Sequence, residues 1–506
     1  MRRVEGRCDH VVVIGAGLAG LSAAIHLAGR GLTVTVVERG PVPGGRAARA
    51  DIGDYRLDLG PTVLTMPDLI DEVFAAAGAN TDDHLRLVPI DPAYRAHFAD
   101  GRELELHTGP EPMVKAITDF AGAREADGYL KLRKWLIRLY RTEFDRFVAT
   151  NIDSPISLVN PAAVHLVAEG GLRRWDRAVA DHLHDPDVRR LFTFQSLYAG
   201  VSPQRALAAY AVIAYMDTVG GVFFPLGGMR ALPDALAAAA TAAGVNFHYD
   251  TTAASTRRSG SRITAVTTAD SRDIDCDAVV LTTELHAAYE LIGRRPHRPQ
   301  RHIAAPSAVV VHLSSNPAPH VAHHSLLFGR AWRQTFDDVL TRGRPMRDPS
   351  LLLTRPTATD NSLAPRGRDL LSILAPAPNL ARARIDWDRL GPAYADELLA
   401  TVNRRLPAPL TGVDILRVTT PADWARQGLL AGSPFALAHT VSQTGPLRPA
   451  NMIRGVDNAV LAGGSTVPGV GIPPVLISGR LAADRITGTP TVRPVPAAAQ
   501  AGGMRS

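Results

Sequence analysis

The chain has 506 residues, 46% of them hydrophobic and 21% charged, a balance that excludes a disordered chain and an integral membrane protein. Its 55 basic and 49 acidic residues leave a net charge of +6 with no Lys/Arg run, so nucleic acid is not an expected partner. Lysine stands only at 115, 131 and 134, which removes the common NTPase phosphate loop, and Cys8 and Cys276 are too few for a disulfide framework or zinc site. A length above 500 residues predicts two or three domains.

Residues 10–14 read as a buried strand, 18–28 as a helix and 33–37 as a second, β-branched strand. The turn between the first two is Gly15-Ala16-Gly17-Leu18-Ala19-Gly20, and Glu38 follows the second strand. Gly15 permits the tight turn, Gly17 lets the backbone approach a pyrophosphate, and Gly20 lets helix and strand pack closely. The helix start then offers free amides to phosphate, and Glu38 can accept from an adenosine ribose while repelling the 2′-phosphate of NADP. A purely structural glycine turn is the alternative. The apolar stretch after Met1-Arg2-Arg3 superficially resembles a signal peptide, but Gly15, Gly17, Gly20 and His26 interrupt it, so an intracellular protein is expected.

Gly44-Gly45-Arg46 and Asp58-Leu59-Gly60-Pro61-Thr62 come next, where a plain NAD domain would continue into a third strand. Such a loop lets the chain lie along an extended diphosphate and favours FAD. Arg46 is either a phosphate or ring contact or a solvated loop charge. Residues 67–159 are expected to be mostly helical, and 203–216 form a strongly apolar helix. After Gly220-Gly221 an α/β pattern returns, with a helix at 232–243 and strands at 246–249, 263–268 and 277–282. Strands at 309–313 and 370–374 lie in a mixed middle section. A strand at 458–462 then leads through Gly463-Gly464-Ser465-Thr466-Val467-Pro468-Gly469-Val470-Gly471-Ile472 into a helix at 475–486. Those amides and that helix dipole suit an electron-rich group such as the pyrimidine end of reduced flavin, unless this is a second structural turn. The Pro-rich tail from 488 is expected to be disordered.

Together the three glycine segments resemble the bacterial-type phytoene desaturases, a family of FAD flavoenzymes. Gly220 to Met229, Ala322-His323-His324-Ser325, Thr359-Asp360-Asn361-Ser362-Leu363-Ala364-Pro365 and Gln443-Thr444-Gly445-Pro446-Leu447-Arg448-Pro449 fit the same family in order. The resemblance covers residues 10–487. Val467 stands where the family often has a polar residue or Ala, and Pro474 where it often has Gly. The resemblance implies a monotopic enzyme on the cytoplasmic membrane that takes 15-cis-phytoene stepwise towards lycopene. FAD would accept a hydride, with oxygen or a membrane quinone as final acceptor. A desaturase of a later or C30 carotenoid, or an inactive carotenoid- or membrane-binding scaffold, are the alternatives.

The expected fold is α/β, with a Rossmann-like FAD domain from 1–90, 220–300 and 420–487. A mixed α+β substrate domain would take 91–155 and 301–419, and a helical lid or membrane part 156–219. Expected cofactor residues are Gly15, Gly17, Leu18, Ala19, Gly20, Glu38, Arg39, Gly44, Gly45, Arg46, Gly60, Pro61, Thr62, Ala253, Gly463, Gly464, Gly471 and Ile472. No metal set or nucleophile–base pair stands out. Arg173, at a position resembling a family basic residue, and Asp176 are catalytic candidates or part of a solvated helix face. His323 and His324 read as structural or functional. The stripe Leu207, Tyr210, Ala211, Ala214 and Tyr215 reads as a membrane-docking face or as core beside a substrate tunnel.

Overall fold

The computed structural model describes residues 2–6, 8–153, 161–295 and 302–490. A five-stranded parallel sheet runs in the order Ala459–Leu461, Ala278–Leu281, His10–Ile14, Thr33–Val37, Asn246–His248. Its inner strands and Ala459–Leu461 are short Val-, Ile- and Leu-rich runs, mostly buried, as a covered parallel sheet requires, while the edge strand Asn246–His248 is more polar and partly exposed. The helices Leu18–Ala28 and Ile472–Thr487 lie against each other beside it. They can approach because Gly479 has no side chain: a Cβ there would meet Ala23 N at 2.7 Å and Ser22 Cβ at 2.7 Å. Ser22 Oγ adds a hydrogen bond to the Leu476 carbonyl at 2.7 Å.

A seven-stranded sheet runs from Asp414–Thr419 through Ser307–Ser315, Asp369–Ala377, Leu351–Thr354, His324–Leu327 and Tyr94–His97 to Glu103–Leu106. Alternation splits its long strand Ser307–Ser315. Val309, Val311 and Leu313 pack on the helix Trp387–Arg405, while His312 stands on the opposite face and bonds the Asp58 carbonyl at 2.8 Å. A separate three-stranded sheet and two strand pairs complete the β structure among the described residues.

Two expectations change. The stretch 67–159 holds helices at Pro67–Ala76, Pro110–Ala121 and Ala123–Glu143, but three strands intervene at Leu87–Ile90, Tyr94–His97 and Glu103–Leu106. Pairing overrides the helical reading there, because Glu103-Leu104-Glu105-Leu106 alternates outward and inward against Tyr94–His97. Residues 154–159 lie outside the described residues. The apolar helix starts late, as a 3₁₀ turn at Ala208–Tyr210 followed by Ala211–Thr218. Its leading backbone is extended, with Ala208 N and Ala209 N donating to the Arg173 and Gly171 carbonyls, each at 2.8 Å. Ala208, Ala211 and Ala214 are fully buried and Tyr215 stacks on Tyr140 at 4.0 Å, so this stretch is packed as core. No helix among the described residues is long and apolar enough to cross a membrane. The expected tail falls outside the described residues beyond 490.

Candidate functional site

The first glycine turn is built by steric necessity. Gly15 has φ +106°, and a Cβ on it would overlap Thr282, whose Oγ1 donates to the Ile14 carbonyl at 2.8 Å. A Cβ on Gly20 would overlap the Gly15 carbonyl. The helix that follows has no side-chain cap and no acid in its first turn, although Leu18 and Ala19 are buried. Buried helix amides without a cap need an outside acceptor, and an anion is the natural one. Gly17 faces Gly45, whose Cα would lie 3.9 Å from a Cβ on Gly17, and Gly44 N donates to the Ala16 carbonyl at 2.9 Å.

Glu38 sits at the edge of this cradle, accepting from Ala16 N at 2.7 Å and Gly40 N at 2.9 Å. Its own carbonyl accepts from Thr251 N at 2.9 Å, which brings Ala253 to the same edge, while Arg39 bonds the Gln427 carbonyl at 3.2 Å.

Arg46 links the two ends of the chain. It pairs with Glu284, whose other oxygen accepts from Ser465 Oγ at 3.2 Å. Its Nη1 would lie 3.3 Å from a Cβ on Gly464, and Gly60 packs on its carbonyl. Burial drags the Arg46 pKa down to about 10, yet 35% of the side chain is open to solvent. A deep but accessible arginine lines a cleft. Pro61 and Thr62 follow Gly60, and Thr62 Oγ1 is 3.4 Å from Thr354 Oγ1.

The C-terminal loop is clamped from behind. Buried Arg448 bonds the Gly464 carbonyl at 2.6 Å and the Thr466 carbonyl at 2.9 Å, while Ser478 Oγ accepts from Gly463 N at 3.0 Å. Gly471, at φ +117°, opens the last helix at Ile472 without a side-chain cap. Gly469 packs on the His439 imidazole, whose ring meets Tyr210 edge-on at 5.3 Å; Tyr210 Oη hydrogen-bonds Thr444 Oγ1. Burial holds His439 well below its ordinary pKa and pushes Tyr210 up to about 12, so both are neutral. Glu143, only 4% exposed with Oε1 unpartnered among the described residues, is held protonated by burial where its helix passes into a π-helical turn at Phe144–Val148.

Glu284, Arg448, His439, Tyr210 and Gly479 are the residues that sequence reasoning missed as site elements. Arg448 stood in a segment already singled out, and Tyr210 in the apolar stripe read as a docking face or as core beside a substrate tunnel. Arg173 instead pairs with Asp181 at 2.5 Å with half its side chain exposed, and Asp176 accepts from Arg177 N at 2.9 Å. Among the described residues neither makes a hydrogen bond or ion pair with the cradle. His323 and His324 are buried in the sheet region, bonded to Thr359 Oγ1 at 2.6 Å and Thr354 Oγ1 at 3.2 Å.

Two uncapped helix starts on one parallel sheet, with glycine loops meeting at a cleft arginine, define the architecture of an FAD-dependent oxidoreductase. The family model described as flavin containing amine oxidoreductase matches residues 18–487. The chain is 54% identical to a phytoene dehydrogenase of Streptomyces griseus over 99% of both chains. It is 34% identical to a zeta-carotene-forming phytoene desaturase of Myxococcus xanthus, over 95% of this chain and 94% of that one. Among solved structures, an oxidoreductase from Methanosarcina mazei superposes with a TM-score of 0.64 at 15% identity, covering 93% and 99% of the two chains, a likeness of fold. The chain belongs to the flavin-containing amine oxidoreductase family, and within it to the bacterial-type phytoene desaturases.

Proposed function

We propose that the chain is a phytoene desaturase that introduces conjugated double bonds into 15-cis-phytoene in the direction of lycopene. The observation that carries this reading is the 54% identity to a phytoene dehydrogenase, spanning 99% of both chains and so every segment of the cradle. When bound, FAD supplies the two-electron sink that desaturation of a C–C bond requires. On this reading the residues named from the sequence hold FAD: the first helix start takes the diphosphate, Glu38 the ribose, and the Gly463–Ile472 loop the ring. His439, kept neutral by burial, packs on that loop and holds it against the ring, and the proton lost from the neighbouring carbon leaves to water. Oxygen or a membrane quinone takes the electrons onward.

The proposed division assigns 1–90, 220–300 and 420–487 to FAD, 91–155 with 301–419 to the substrate, and 156–219 to the membrane side. Val164 and Leu172 are 70% and 57% exposed, and Leu172 directly precedes Arg173 and Arg174 in the chain, a combination suited to an anionic bilayer at the cytoplasmic face. The test is expression in cells that accumulate colourless phytoene. Coloured product with a lycopene spectrum is expected, and His439→Phe should keep its flavin yet lose most of the colour. Colourless cells containing folded, flavin-loaded wild-type protein would overturn the reading in favour of a scaffold.

A further inference from the structure

Away from the flavin cleft lies a cavity of about 670 Å³ whose walls come from the helices Trp175–Ala180 and Pro186–Leu191 and from residues 330–334. It is lined by Arg177, Arg189, Arg190, Arg330, Arg333 and Trp332. Arg190 joins the walls, donating to the Gly329 carbonyl at 3.0 Å and pairing with Asp187 at 3.3 Å. The other four arginines have no carboxylate partner among the described residues. Arg189 Nη2 donates to the His184 carbonyl at 2.7 Å, while its Nε is buried without a hydrogen-bond partner among the described residues. The one acid in the lining, Asp176, is engaged by Arg177 N. Trp332 is fixed edge-on between Phe328 and Phe336, at 5.4 and 4.9 Å.

Guanidinium groups gathered around one concavity repel each other, and those without a carboxylate partner favour a dense anion there. Forked donors match phosphate oxygens in particular, and the volume holds more than a bare ion. We propose that this arginine groove binds a phosphate-bearing ligand, either a phospholipid headgroup or a soluble polyphosphate. The inference goes beyond the desaturase reading and does not rest on it.

The test compares full-length, flavin-loaded wild type with Arg330→Gln/Arg333→Gln, two exposed side chains that make no hydrogen bond among the described residues. Arg258→Gln/Arg366→Gln removes the same charge elsewhere. Two probes are used: phosphatidylcholine vesicles with and without phosphatidylglycerol, by co-sedimentation, and pyrophosphate, by calorimetry. Each lost arginine should weaken binding about five-fold, so the groove variant should bind about twenty-five-fold more weakly than wild type, with flavin absorbance and melting temperature retained. The control should bind within a few-fold of wild type. Loss confined to vesicles assigns the groove to a lipid headgroup, and loss confined to pyrophosphate assigns it to a soluble ligand. If wild type binds neither probe, or groove and control variants bind alike, the proposal is wrong, while pigment formation still judges the desaturase reading separately.

Discussion

A methyl group at Gly17 would touch only Gly45 Cα, at 3.9 Å, whereas one at Gly20 would overlap the Gly15 carbonyl. The two glycines therefore serve different ends within one turn. Gly17→Ala should fold with stability within about 1 kcal/mol of wild type and lose ten-fold or more in FAD affinity, because the methyl enters the space a diphosphate needs. Gly20→Ala should instead lose about 1–3 kcal/mol through backbone displacement. Denaturant melts of the flavin-free proteins, with flavin titrations of each, separate the two. Equal flavin affinity for Gly17→Ala and wild type would remove the phosphate role from that turn.

The crossing of Leu18–Ala28 with Ile472–Thr487 sets the spacing of the two uncapped starts. In an exposed helix, replacing Gly by Ala gains about 1 kcal/mol. At Gly479 the sign should reverse, because a Cβ would lie 2.7 Å from both Ala23 N and Ser22 Cβ. Gly479→Ala should lower stability by about 1–3 kcal/mol and shed flavin on gel filtration; a stabilised, flavin-loaded variant would show that this contact does not set the site. Gly479 illustrates what the sequence could not display. The strand–turn–helix at 10–28 is written in adjacent residues and could be read directly. The partners Arg46 with Glu284, Arg448 with Gly464, and Gly479 with Ala23 come together only through tertiary packing. The strands at Leu87–Ile90, Tyr94–His97 and Glu103–Leu106 are a different case. Their alternation and the Asp100-Gly101 turn, with Gly101 at φ +89°, were legible signals outweighed by helical neighbours.

Across the molecule, His26, His312, His323, His324 and His439 are all held neutral by burial, His312 at about 4 and His323 at about 3. Unfolded imidazoles take a proton near 6.5, so below that pH the unfolded chain binds protons that the fold refuses. Stability should therefore fall as pH drops from 6.5 towards 4, by on the order of 1.4 kcal/mol per pH unit for each such histidine. Asp58 opposes this: burial raises it to about 6, so it gains a proton in the fold first and adds stability below that pH. Glu143, raised by burial as well, acts in the same sense, but two carboxyls against five imidazoles leave acid destabilisation dominant. Melting temperatures between pH 7.5 and 5 should decline, and His323→Gln should flatten the decline; an unchanged slope would show that the buried ring titrates normally.

The parallel sheet places Ala459–Leu461 two strands from His10–Ile14, with Ala278–Leu281 between them. Val4 N donates to the Arg485 carbonyl at 2.8 Å, and Arg485 Nη1 returns a bond to the Arg2 carbonyl at 2.7 Å. On a ribosome, the first strand emerges more than four hundred residues before the partner edge and the second glycine loop exist. For most of synthesis the nascent chain thus carries a half-built nucleotide pocket with an exposed apolar edge, and such long-range pairing is slow to form. Cofactor loading must then be a late event, after the last helix has left the ribosomal tunnel, and the flavin supply at that moment decides how much of each newly made batch becomes enzyme.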